Sequence, residues 1–186
     1  MSLIKHLSSI IHVSENLAQE LNTVTIKRTF SKGDMIVNCY ERCDSIYFIE
    51  RGLVRGYYFD EGKEITNWFA QEQEFATSFY AFITNNTTNE NIQALEDSVL
   101  IEIPFSALQN LYRNFHETER LGRIITENYY IKLEERILSL QFKTAKERYQ
   151  KFASSKPSLL QRASLGQIAS YLGITQETLS RIRAEV

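Results

Sequence analysis

Proline is almost missing from this 186-residue chain, with two residues; glycine is sparse at seven, and cysteine and histidine number two and three. So little Gly and Pro excludes a collagen-like or low-complexity chain, and two thiols exclude a disulfide scaffold. A structural zinc site normally takes four ligands, so Cys39 and Cys43 read as reduced, structural thiols. No run approaches the ~18 consecutive apolar residues of a membrane span, and His6, Ser8, Ser9 and His12 interrupt the apolar residues of the amino terminus. A cytoplasmic chain with no membrane partner is expected. What is present is a globular mixture, 43% hydrophobic and 24% charged, with 10 Tyr and 11 Phe to fill cores and half-buried strands. The length suits one large or two small domains.

The formal charge of -2 is unevenly spread. Beyond Phe142 stand eight basic residues against three acidic ones, a net of +5, and the rest of the chain carries -7. A basic module joined to an acidic one fits contact of the former with a polyanion; a merely solvated surface fits the charge equally well.

Leu3, Leu7, Ile10, Ser14, Leu17 and Leu21 recur at spacings of three and four, predicting one amphipathic helix over Ser2 to Leu21. The period then changes to two. Val24 to Phe30, Ser45 to Glu50, Leu53 to Phe59, Glu64 to Phe69, Asn91 to Leu95 and Val99 to Ile103 read as strands, with turns at Ser31 to Asp34, Arg51-Gly52, Asp60 to Lys63 and Glu96 to Ser98. Short strands at such intervals indicate a β-sandwich or roll rather than a parallel sheet. Pro104 ends the pattern and a short helix is expected from Phe105 to about Tyr112. A helix of roughly 25 residues, on the order of 38 Å, should follow from about Glu117 to Phe142. Its seam carries Leu121, Ile124, Asn128, Ile131, Glu135 and Leu138, which suits pairing with a second copy, the buried polar residues fixing register. The alternative is that it packs only on its own β-domain.

Thr144-Ala145-Lys146-Glu147 has the form of a capping box, placing a hinge at Phe142 to Thr144 and a new helix that ends before Pro157. Ser164-Leu165-Gly166-Gln167 has the same form and opens a helix to about Tyr171; Gly173 suits a left-handed turn, and Thr175 an N-cap for a helix to at least Arg183. Two short helices joined through Gly make a helix-turn-helix, with Ile168, Ala169, Leu172, Ile174, Leu179 and Ile182 available to pack between them. On the second helix Gln176, Glu177, Ser180 and Arg181 share the side opposite Leu179 and Ile182. Arg can pair with guanine O6 and N7, Gln with adenine, and Glu with cytosine N4, while the helix start at Thr175 suits phosphate.

The stretch from Gly166 to Ile182, above all Glu177-Thr178-Leu179-Ser180-Arg181-Ile182, resembles the winged helix-turn-helix of the cyclic-AMP receptor protein/FNR family of bacterial transcription regulators. Lys32-Gly33-Asp34 with Ile46 to Arg55 resembles the first half of that family's β-roll, and Ala94 to Asp97 a later strand. The resemblance implies an α+β chain: an antiparallel β-roll of the cyclic-nucleotide-binding jelly-roll type over 1–115, a dimerisation helix over 116–142 and a winged helix-turn-helix over 143–186. It implies base contacts at Gln176, Glu177 and Arg181. Its partners would be double-stranded DNA with a near-palindromic site, a second copy of the chain and RNA polymerase.

Nucleotide-responsive relatives carry a Gly-Glu pair and an Arg-Ser pair in a phosphate-binding cassette. Here the matching positions are Thr77-Ser78 and Thr88-Asn89, the candidate effector pocket, and they offer no cation to a phosphate. An effector other than cyclic AMP is therefore expected, its identity open. An iron-sulfur sensor needs more than two thiols, and scattered His6, His12 and His116 suit structural roles better than haem ligation, so no cofactor is expected. An enzyme on the roll would need His and carboxylate ligands clustered on strands; the three His lie outside them. The remaining alternative is a small-molecule sensor whose carboxyl-terminal module binds a protein.

Overall fold

The computed structural model describes residues 2–185, and the chain divides into two compact units, residues 1–56 with 69–126, and 57–68 with 127–186. In chain order the first part contains α1 (Leu3–Ser8), α2 (Glu15–Val24), β1 (Ile26–Phe30), β2 (Met35–Val37), β3 (Ser45–Arg51), β4 (Val54–Asp60), β5 (Lys63–Ala70), β6 (Phe75–Ala76), α3 (Phe79–Thr84), β7 (Asn91–Ala94) and β8 (Ser98–Pro104). The strands form two four-stranded sheets, ordered β1-β8-β3-β6 and β2-β7-β4-β5. Pairs β1–β8, β3–β8, β3–β6 and β2–β7 are antiparallel, with Phe48 opposite Ile101 and Arg28 opposite Leu100. The antiparallel jelly-roll reading holds. The short β2, β6 and α3 carry too few residues to show a period, and only the structure reveals them.

The amino terminus differs from the single helix expected. Two helices form, because Ser14 leaves the apolar stripe and becomes the N-cap of α2, accepting from the Leu17 amide at 3.3 Å while its hydroxyl donates to Glu117 at 2.8 Å. The Ser9 hydroxyl donates to the His6 carbonyl at 2.6 Å, a local bond that competes with helix continuation. Leu3, Leu7, Leu17 and Leu21 nevertheless stay on the core side and are buried with Phe48, Ile103 and Leu111. Each such side chain contributes on the order of 1.5–3 kcal/mol.

Helix α4 (Phe105–Asn114) leads into α5 (His116–Phe142), 27 residues long. The two units meet in sequence within α5, between Thr126 and Glu127. At the upper end of the expected seam the apolar residues also serve the chain's own core. Leu121 is buried in the first unit's own core, and Ile124, partly buried, packs against that core. Farther along, Asn128, Ile131 and Leu138 are exposed, as are Tyr130 and Phe142.

The second unit continues with α6 (Ala145–Ser155), α7 (Leu159–Arg162), α8 (Leu165–Leu172) and α9 (Gln176–Ala184), together with the tip of the β4–β5 hairpin. Both capping boxes form: Thr144 with Glu147, and Ser164 with Gln167. Among the described residues from 143 onward there is no strand. No helix among the described residues is long and apolar enough to cross a membrane.

Candidate nucleic-acid interface

Helix α8 stops where the sequence changes hand. Gly173 adopts φ +65°, and the chain closes a paired turn in which the Ile174 amide donates to the Ala169 carbonyl at 3.0 Å and the Gly173 amide to Ser170 at 3.1 Å. Thr175 then caps α9, its hydroxyl accepting from the Thr178 amide at 3.2 Å. Leu179 and Ile182 of α9 are buried, as are Ile168, Ala169 and Leu172 of α8. That packing fixes which side of α9 meets solvent. Thr175, Gln176, Glu177, Ser180 and Arg181 are all exposed.

The exposed side is chemically mixed. The amides of Gln176 and Glu177 open the helix, where no intrahelical acceptor exists, and so suit an anion. Hydrogen bonding to its own amide at the helix start, then to the Thr175 hydroxyl, together with the positive charge of Arg181, holds the Glu177 carboxyl below its usual value. Glu177 therefore stays ionised and accepts hydrogen bonds, while Arg181 donates. Side by side, the two can discriminate donors from acceptors on a base edge.

Much of the tail's positive charge is committed elsewhere. Arg148 donates to the Leu172 carbonyl at 2.8 Å and to Lys143 O at 2.7 Å, closing the ends of α8 and α5. Lys146 pairs with Glu185 and Lys151 with Glu135, at 3.2 and 2.8 Å. Arg181 and Arg183, exposed on α9, are the better indicators of a polyanion contact than the net charge.

Three further residues escaped sequence reasoning. Arg136 of α5 donates to the Tyr171 carbonyl at 2.9 Å and to Thr66 O at 3.4 Å, and its guanidinium lies 4.1 Å from the Tyr171 ring centre. The Ser170 hydroxyl accepts from the Thr66 amide at 2.8 Å and donates to Glu64 O at 2.9 Å. Nothing local marks these residues, because their partners lie up to 106 positions away.

In the first unit two of the four candidate effector residues, Ser78 and Thr88, turn inward on one another. Ser78 and Thr88, both buried, share a hydrogen bond of 2.7 Å, and Thr88 also accepts from the Glu90 amide at 2.8 Å. Thr77 donates to Ser45 O at 3.0 Å and lies 3.3 Å from the Cys43 sulfur. Asn89 is exposed and outside this cluster. The buried cation of the roll is Arg55, on β4, held by the Gln93 side chain at 2.8 Å. Its place between Val54 and Gly56 gave no sign of burial. His6 sits against Phe48 and Phe75, ring centres 5.3 and 6.2 Å away, and burial lowers its pKa. His12 and His116 line an open surface hollow with Glu117 and Arg120. Among the described residues no three His, Cys, Asp or Glu converge as a metal-binding group.

Residues 27–115 match the cyclic nucleotide-binding domain family. Electron transport regulator A of Shewanella oneidensis is 28% identical over 170 residues, covering 84% of this chain and 66% of that protein. The fumarate and nitrate reduction regulatory protein of Vibrio cholerae is 27% identical, with the same coverages, so this chain spans slightly less than two thirds of either relative. Among solved structures, FixK2 of Bradyrhizobium japonicum superposes with a TM-score of 0.76 at 22% identity, over 87% of this chain and 84% of that one. The c-di-GMP responsive global regulator CLP of Xanthomonas campestris gives 0.72 at 16%, over 92% and 91%. At such identities the structural likeness speaks for the fold.

Proposed function

We propose that this chain is a member of the cyclic-AMP receptor protein/FNR family, a sequence-specific DNA-binding transcription regulator acting as a homodimer. The observation that carries this reading is the division of α9, with Leu179 and Ile182 buried while Gln176, Glu177, Ser180 and Arg181 face solvent. Inserted in a major groove, Arg181 would read guanine, Gln176 adenine and Glu177 cytosine N4, with the helix start at Thr175 on phosphate. The work is recognition rather than catalysis, in keeping with relatives named as regulators.

Dimerisation would run through the uncovered part of α5, where Asn128, Ile131 and Leu138 stand exposed and where Tyr130 and Phe142 extend the apolar surface. Two-fold symmetry then requires a near-palindromic site with half-sites about 34 Å apart, one helical turn. The functional division is a sensing roll over 1–115, a pairing helix over 116–142 and a DNA-binding module over 143–186, with RNA polymerase as a further partner. The effector, if the roll takes one, is not a cyclic nucleotide in the usual manner: Ser78 and Thr88 already satisfy each other, and no cation stands among the four candidate positions. The cytoplasm is the compartment such a regulator works in.

Selection of bound fragments from random DNA, with and without cell extract, tests the reading. The expected product is a two-fold symmetric motif whose binding is lost in Arg181→Ala. Fragments without a shared motif, or capture insensitive to salt, would reject it.

A further inference from the structure

Strand β5 lies at the edge of its sheet, and an edge strand presents amide and carbonyl groups that no neighbouring strand satisfies. At Glu64 and Thr66 these groups are taken up by one side chain from the helix-turn-helix. The Ser170 hydroxyl receives the Thr66 amide at 2.8 Å and gives its own proton to the Glu64 carbonyl at 2.9 Å, filling the place of a missing strand. Thr66 is fully buried, so the Ser170 hydroxyl serves an amide that water does not reach. Arg136 closes the arrangement from α5, with one nitrogen on the Tyr171 carbonyl at the end of α8, another directed to Thr66 O, and the guanidinium over the Tyr171 ring.

All these groups belong to the second unit, and α8 is the helix on which α9 packs. We propose that Ser170 and Arg136 are positioning residues for DNA recognition: they clasp α8 to the tip of the β4–β5 hairpin and thereby restrict where α9 can be presented. Neither residue stands on the exposed side of α9, so the clasp leaves the reading surface uncovered and acts on its placement. This inference rests on the reading of the chain as a dimeric DNA binder. In that setting a fixed placement of each α9 shows itself as intolerance of altered half-site spacing, a property separate from the affinity of α9 for one half-site.

The test uses the full chain and the selected palindrome with its spacer lengthened or shortened by about two base pairs, beside a single half-site. Ser170→Ala removes the hydroxyl without weakening α8, since alanine is the better helix former. For the parent, changing the spacer is expected to lower affinity about tenfold; for Ser170→Ala, about threefold or less, with half-site affinity kept within about twofold. Ser170→Thr, which keeps a hydroxyl, should restore spacer discrimination. Amide exchange at Thr66 supplies a readout independent of DNA and should accelerate in Ser170→Ala alone. Parent-like spacer discrimination in Ser170→Ala overturns the proposal, as does loss of half-site binding together with spacing control, which would mean simple unfolding of the module. Failure of the parent to bind DNA rejects the functional reading itself, and with it this role, even where Thr66 exchange reports an intact clasp.

Discussion

Helix α9 and the Thr77–Asn89 segment of the roll both carry threonine, serine and amide side chains, yet they dispose of them in opposite ways. On α9 the apolar side chains Leu179 and Ile182 take the interior while Gln176, Glu177, Ser180 and Arg181 remain exposed. In the roll the buried hydroxyls of Ser78 and Thr88 bond each other at 2.7 Å. A hydroxyl already satisfied in the interior must give up a partner before it can hold a ligand, whereas one in water exchanges a solvent bond. Polar composition is therefore poor evidence of a ligand site; the direction in which polar groups point decides.

The sharpest way to break this contrast is to lose the geometry of α9 altogether. Gly173→Val places a β-branched residue at φ +65° with its Cβ 3.2 Å from the Leu140 side chain. The expected cost is up to about 3 kcal/mol, read as a lower melting temperature of the helical module and lost DNA binding; an unchanged melt and affinity would show the turn to be adaptable. Next, Thr88→Val removes the hydroxyl that pairs with buried Ser78 and accepts from the Glu90 amide, at about 1–3 kcal/mol of stability by urea titration, while DNA affinity per folded protein holds. Arg181→Ala should show the reverse, a comparable loss of about 1–3 kcal/mol per half-site in binding to the selected sequence, with no change in the urea midpoint. If both variants affect the same property, the two regions are not the opposites described.

The smallest effect concerns pH. Burial against Phe48 and Phe75 lowers the pKa of His6, so the unfolded chain binds this proton more readily than the folded one. The direct contribution vanishes well above the ordinary imidazole value of about 6.5 and becomes destabilising as pH falls through it. In His6→Phe the part of the stability decline due to this residue should disappear, as judged by urea midpoints measured on either side of that value.

How much was legible in the sequence follows the range of the interactions. The helix-turn-helix is built from local signals: Ser164 with Gln167, Gly173, and Thr175 with Thr178 act over a few residues, and each stands where spacing placed it. Strands long enough to show alternation were legible too, whereas β2 and β6, with three and two residues, were not. Ser14 illustrates a local signal that was ambiguous: the same spacing admits a place in an apolar stripe or an N-cap, and the bond to Glu117 favours the latter. Periodicity gives α5 an apolar side without saying what covers it; for Leu121 its own unit's core does. Ser170, Thr66 and Arg136 depend on contacts between distant segments, and Arg55 on its bond to Gln93, 38 positions away. Neither is encoded in spacing.

The uncovered stretch of α5 has a consequence in mass action. Tyr130 and Phe142 keep 64% and 77% of their surface accessible in the single chain, so the proposed pairing along α5 would remove apolar surface that dilution returns to water. Melting temperature and, under the proposed function, operator occupancy should then both rise with the amount of protein present, a steeper response than proportion alone would supply.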